Sequence, residues 1–94
     1  RIMYLVTTAQ IVTVNSTGIL LPSTPLVGRR YIMLQNLGVV TIYIGGTMVT
    51  ANTASTGGFQ LLPYGTWRES YTNNNSVYGR TESNNCQILV QEGK

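Results

Sequence analysis

From Tyr4 to Val14 the chain is rich in β-branched residues and shows no helical stripe, which predicts one long strand. Val6, Val12 and Val14 fall on one face; Leu5, Ala9 and Ile11 fall on the other. With both faces half apolar, two arrangements fit. One face meets the home core and the other a neighbour, or the strand is central and loops cover it. Asn15-Ser16-Thr17-Gly18 reads as a turn. The apolar run Ile19-Leu20-Leu21 then stops at Pro22 and Pro25, which bar a central strand there. Arg29 to Asn36 predicts the next strand, with Ile32 and Leu34 on one face and Tyr31, Met33 and Gln35 on the other. Past Leu37-Gly38, the residues Val40, Ile42 and Ile44 recur at period two and give the clearest strand signal, Val39 to Ile44. The glycine between these two strands predicts that they form a hairpin.

Gly45-Gly46 permits a tight reversal. Met48-Val49-Thr50 reads as short and extended, and Ala51 to Gly58, small and polar, as a mobile loop. Phe59 to Leu62 predicts a strand that ends at the turn Pro63-Tyr64-Gly65. Thr66 to Thr72 alternates, Asn73-Asn74-Asn75 forms a loop, and Val77-Tyr78-Gly79 is extended. Asn84-Asn85 turns into a last strand, Cys86 to Gln91, with Cys86, Ile88 and Val90 on one face. Some seven or eight short strands, spaced about ten residues apart, predict an all-β antiparallel sandwich or jelly-roll-like barrel. The 94 residues fit one domain. Within it, residues 1–28 form an N-terminal strand and a Pro-containing connection, a candidate attachment arm, and residues 29–94 form the sandwich.

Charge changes the picture by its scarcity. Six basic residues face three acidic ones, with no Asp and no His. Only Arg29 and Arg30 adjoin, so the dense basic stripe of a nucleic-acid binder is missing and no nucleic-acid partner is expected. Thr, Asn, Ser and Gln take the place of charge. Such a surface is cheaper to desolvate against a neighbour than a charged one, which leans towards life in an assembly. No apolar run approaches the roughly 18 residues of a membrane span, so no membrane partner is expected. The chain opens on Arg1 rather than Met, which predicts that residues upstream were removed or left out.

Catalysis is tested by subtraction. Without an imidazole there is no Ser-His or Cys-His pair. One Cys and three scattered Glu make no metal cluster, so no metal and no cofactor are expected. Glu69 and Glu82 are the remaining pair for glycoside hydrolysis, yet both fall in polar stretches that read as exposed. The glycine pairs lack a GKS or GKT continuation and a following helix, so they read as turns. Cys86, within an apolar run, reads as a buried small hydrophobe. The chain is therefore expected to be no enzyme.

The aromatics offer a surface instead. Tyr43 falls opposite Val40, Ile42 and Ile44 and is expected to point outward, pairing with Tyr31 across the hairpin. An outward Tyr and Met surface suits a protein interface, suits sugar stacking less well, and is also compatible with plain packing.

Arg30-Tyr31-Ile32-Met33-Leu34-Gln35-Asn36, then VTIYIGG from Val40 to Gly46, then Met48-Val49-Thr50, resembles small virion proteins of tailed bacteriophages. In these a QN ends one strand, an IYIGG..VT hairpin follows, and a Gly-rich loop, a turn, a YG pair and a final apolar strand come next. Gly57-Gly58, Leu62-Pro63-Tyr64-Gly65, Tyr78-Gly79 and Gln87 to Glu92 continue that order. The resemblance covers roughly residues 29–92 and departs at Arg80-Thr81-Glu82-Ser83. It implies a β-sandwich or jelly-roll module on the particle surface, made in the host cytoplasm. The role implied is capsid decoration or cement on a phage head, or alternatively a head-fibre or tail module recognising a host receptor or glycan. The partners implied are the major capsid protein or other virion proteins, with a homo-oligomer, a trimer about a local three-fold axis, favoured. The expected interface residues are Tyr4, Val6, Arg29, Arg30, Tyr31, Met33 and Tyr43. In that reading Arg29 and Arg30 pair with carboxylates on the shell. The N-terminal strand adds to a neighbouring sheet, and deleting residues 1–14 leaves a folded remainder. In the fibre reading, outward tyrosines and the loops at Ala51–Gly58 and Thr72–Ser76 form a receptor site.

Overall fold

A computed structural model describes residues 7–46, 49 and 58–94. Eight strands make up the described chain: β1 (Thr7–Val14), β2 (Ile19–Leu20), β3 (Tyr31–Asn36), β4 (Ile42–Gly45), β5 (Phe59–Leu61), β6 (Thr66–Glu69), β7 (Tyr78–Arg80) and β8 (Cys86–Gly93). They form two four-stranded antiparallel sheets, β1-β8-β3-β6 and β2-β7-β4-β5, a small β-sandwich. Every connection except β4 to β5 passes from one sheet to the other.

Period-two alternation decides which side chains meet between the sheets. Ile32 and Leu34 of β3, Ile88 and Val90 of β8, and Val14 of β1 face inward from the first sheet. Ile42 and Ile44 of β4 and Leu61 of β5 face them from the second, with Leu21 and Val77 closing the layer. Cys86 is buried in the same cluster, and its thiol lies 3.1 Å from the Asn36 side-chain oxygen.

The expected hairpin between Arg29–Asn36 and Val39–Ile44 does not form. β3 pairs with β6 and β8, β4 pairs with β5 and β7, and the two strands lie in opposite sheets. The cause is Asn36, fully buried at the end of β3. Its carboxamide oxygen accepts from the Gly38 N–H at 2.8 Å, and its nitrogen donates to the Val40 and Leu61 carbonyls at 2.7 and 2.9 Å. These bonds hold the chain off the β3 edge and hand it to the other sheet. The turn after β5 docks on the same residue: Asn36 N–H donates to the Gly65 carbonyl, and Tyr64 N–H donates to the Asn36 carbonyl. Tyr64 sits there with φ of 61°, a left-handed position between Pro63 and Gly65 that non-glycine residues adopt at a cost.

Residues 7–28 are woven into both sheets. β1 pairs with β8 along all eight of its residues, and β2 pairs with β7. Val14 and Leu21 are fully buried. Deletion of residues 1–14 would thus remove an edge strand and part of the core, so a folded remainder is no longer the expected product. The readings made at Met48, Thr50 and most of Ala51–Gly58 lie outside the described residues.

Candidate protein-binding face

The outer face of the β1-β8-β3-β6 sheet is built row by row from the strand register. Ala9, Gln91, Met33 and Arg68 lie across the four strands in one row. Ile11, Leu89, Gln35 and Thr66 lie in the next, followed by Thr13 and Gln87. Ile11 is 61% exposed, and Leu89 and Met33 are half-buried beside it. Arg68 is the only charged side chain in these rows. Its guanidinium lies 5.5 Å above the Tyr31 ring, which draws the charge towards the sheet. Below Arg68, Tyr31 is itself buried against the backbone of Gly93, where any Cβ would overlap the ring. This pairing flattens the end of the face, because the ring lies down over a residue without a side chain.

An antiparallel sheet with one solvated face normally carries charged or polar side chains there. This face carries aliphatic groups, a thioether and uncharged amides. Its two-faced strand, the β1 of the structure, has its better-packed side on the core through Val12 and Val14 and its other side, Ala9 and Ile11, exposed. At the β6 end of the second row, the Gln35 side-chain amide donates to the Tyr64 carbonyl of the β5–β6 turn at 3.5 Å.

The predicted site residues divide. Met33 lies on the outer face. Tyr31 is beside it but buried, and Arg30 is exposed at the foot of β3 with its N–H bonded to the Gly93 carbonyl at 2.8 Å. Tyr43 belongs to the other sheet, where it helps line a cavity of about 260 Å³ with Thr81 and Glu82. The expected Tyr31–Tyr43 pair therefore does not exist. Tyr4 and Val6 lie outside the described residues.

Arg29 is the main correction. Expected at the surface facing a partner's carboxylates, it is 2% exposed and forms an ion pair with Glu92 at 2.9 Å. Its remaining donors go to backbone: Nε to the Tyr71 carbonyl at 3.0 Å, and the other amino group to the Thr72 and Asn75 carbonyls, each at 2.8 Å. Glu92 also accepts from the Leu26 N–H at 3.1 Å and the Thr8 hydroxyl at 3.4 Å. A buried pair so fully bonded fixes the loop from Tyr71 to Asn75 against the sandwich. Sequence carried one signal for it: Glu92 continues the inward period of Cys86, Ile88 and Val90, so an inward carboxylate needed a cation.

Glu69 and Glu82 are both exposed, Glu69 at the end of β6 and Glu82 in the turn between β7 and β8. Among the described residues, no group of three or more His, Cys, Asp or Glu is placed to hold a metal ion, and no helix is long and apolar enough to cross a membrane. No protein-family model, curated protein or solved structure matches the chain.

Proposed function

We propose that the chain is a non-enzymatic structural protein of a virus particle, decorating or cementing a tailed-phage head through the outer face of its β1-β8-β3-β6 sheet. The observation that carries this reading is the row Ile11–Leu89–Gln35–Thr66, aliphatic, amide and hydroxyl groups with no charge, on the outer face of the sheet with Ile11 exposed and Leu89 half-buried beside it. Desolvating such a row costs little, and the buried centre of protein interfaces is depleted in charge in the same way.

Size sets the mode of binding. Four strands of at most eight residues give a face of roughly 19 Å by 26 Å, about 500 Å² in plan. A standard stable interface buries about 800 Å² on each partner. One face alone therefore binds weakly, and a trimer presenting three faces to the symmetric shell gains affinity through multivalency. Arg68, exposed in the outer rows, is the basic residue of this face available to a shell carboxylate, and Arg30, also exposed, lies just before the start of β3.

Hydroxyl-radical footprinting of the free and head-bound chain tests the face. Met33 is expected to lose most of its oxidation on binding, while Tyr43, on the opposite sheet, keeps its own. Equal labelling of Met33 in both states contradicts the reading.

A further inference from the structure

At the side of the sandwich where the edge strands β5 and β6 face each other, an open cavity of about 670 Å³ lies between the sheets. Three aromatic rings line it. Trp67, inward-facing on β6 opposite Leu34, meets Tyr71 edge-on with ring centres 5.7 Å apart, and Phe59 stands on the β5 side, 57% exposed. Asn74, Asn75 and Ser76 supply amides and a hydroxyl along the rim, and among the described residues no lining residue is charged.

The loop that carries the rim is held from behind. Arg29 donates to the carbonyls of Tyr71, Thr72 and Asn75 from a position anchored by Glu92, and Asn75 N–H closes the loop onto the Thr72 carbonyl at 3.0 Å. Burying a charged pair costs desolvation, and here its bonds are directed at one surface loop. That is the arrangement of a preformed site: a rigid support behind, adaptable polar groups in front.

We infer that this cavity binds a neutral saccharide. A sugar ring offers an apolar C–H face and a rim of hydroxyls. The aromatic walls accept the first, and the side-chain amides, each both donor and acceptor, match the second. The volume falls within the range of small-ligand sites. The uncharged lining gives an anionic sugar no counter-charge, which sets the class as neutral. The outward tyrosines Tyr31 and Tyr43, expected to serve a glycan, are not part of it. The site stands apart from the docking face and does not depend on that reading, since the cavity opens between the sheets and the docking face lies on the outside of one of them.

Trp67 is the only tryptophan, so its indole N–H gives a single resolved NMR signal and needs no assignment. Titration of the full chain with maltohexaose, cellohexaose and chitohexaose, each to about 10 mM, covers the weak affinities expected of a small open site. Hyaluronan hexasaccharide serves as the acidic control. At least one neutral hexasaccharide is expected to shift the Trp67 signal saturably. Phe59→Ala is expected to weaken that binding by about tenfold, and Tyr43→Ala to leave it unchanged. Phe59 is exposed, so its removal leaves the core intact, and an unchanged amide fingerprint away from the cavity verifies this. The inference is overturned if no neutral hexasaccharide moves Trp67, if only the acidic one does, or if Phe59→Ala binds as the parent does.

Discussion

Arg29→Met is expected to lower stability by about 3–5 kcal/mol, the cost of leaving one member of a buried ion pair alone. For a domain whose whole stability is of order 5–15 kcal/mol, that removes a large share of the folded state. Two losses combine. Glu92, 1% exposed, keeps the Leu26 N–H and the Thr8 hydroxyl, the carbonyls of Tyr71 and Asn75 lose the Arg29 donor, and that of Thr72 keeps the Asn75 N–H. Arg29→Lys keeps the charge but cannot fork to Glu92 and three carbonyls at once, so it falls between the parent and Arg29→Met. Adding Glu92→Leu to Arg29→Met is expected to recover the share that comes from the orphaned carboxylate and to leave the carbonyl share lost. Urea denaturation of the four proteins separates these contributions through their midpoints at constant slope. A drop below about 1 kcal/mol for Arg29→Met would place the pair in the class of exposed ion pairs and contradict its burial.

Asn36→Leu is expected to cost about 3 kcal/mol, since it preserves volume while stripping hydrogen bonds from buried backbone groups. The Gly38 N–H and the Leu61 carbonyl lose the Asn36 side chain, while the Val40 carbonyl and the Cys86 thiol lose their shorter bond to it and keep only a contact with each other at 3.7 Å and, for the thiol, the Gln87 carbonyl at 3.9 Å. Asn36→Asp is expected to be no better. It keeps the acceptor for Gly38 but turns a carboxylate oxygen on two carbonyls that now receive a hydrogen bond at 2.7 and 2.9 Å. The same denaturation series reads both, and parent-like midpoints for both variants would mean that the crossing from β3 to β4 is held by something other than this side chain.

These two residues also mark where the sequence stops being legible. The inward faces could be read from alternation: Ile32 with Leu34, Ile42 with Ile44, and Ile88 with Val90 all point to the core as their spacing requires. Each strand overlaps a segment read as extended or apolar, because turn residues and prolines separate them, but β4, β7 and β8 run one or two residues further, to Gly45, Arg80 and Gly93. What alternation cannot carry is the sheet to which a strand belongs. A hairpin and a crossing differ at Asn36 only in where one carboxamide points, and hydrophobic period contains no such information. Arg29 failed for a related reason. A surface basic residue is the ordinary reading of an arginine beside another arginine. Its carboxylate lies 63 residues further on, so only tertiary structure brings the two together. Of the docking face, Met33 was legible from parity. Leu89 and Gln91 were not singled out, since they become a surface only once β8 sits between β1 and β3.

Tyr31 and Gly93 make the same point at a single contact. The ring was read as outward, and by parity it is, yet it is buried because the residue opposite it in β8 has no side chain.

The docking claim is tested most directly by mixing the chain with undecorated phage heads and comparing the parent with Leu89→Glu. Leu89 lies at the centre of the outer face, half-buried among neighbours and outside the core, so the variant is expected to stay folded within about 1 kcal/mol of the parent. Light scattering with sedimentation gives the mass of each protein alone and the amount carried down with heads. The parent is expected to be a trimer that sediments with heads, and the Leu89→Glu protein to fold but stay in the supernatant. Equal sedimentation of the two, or a parent that ignores heads altogether, would contradict the docking claim.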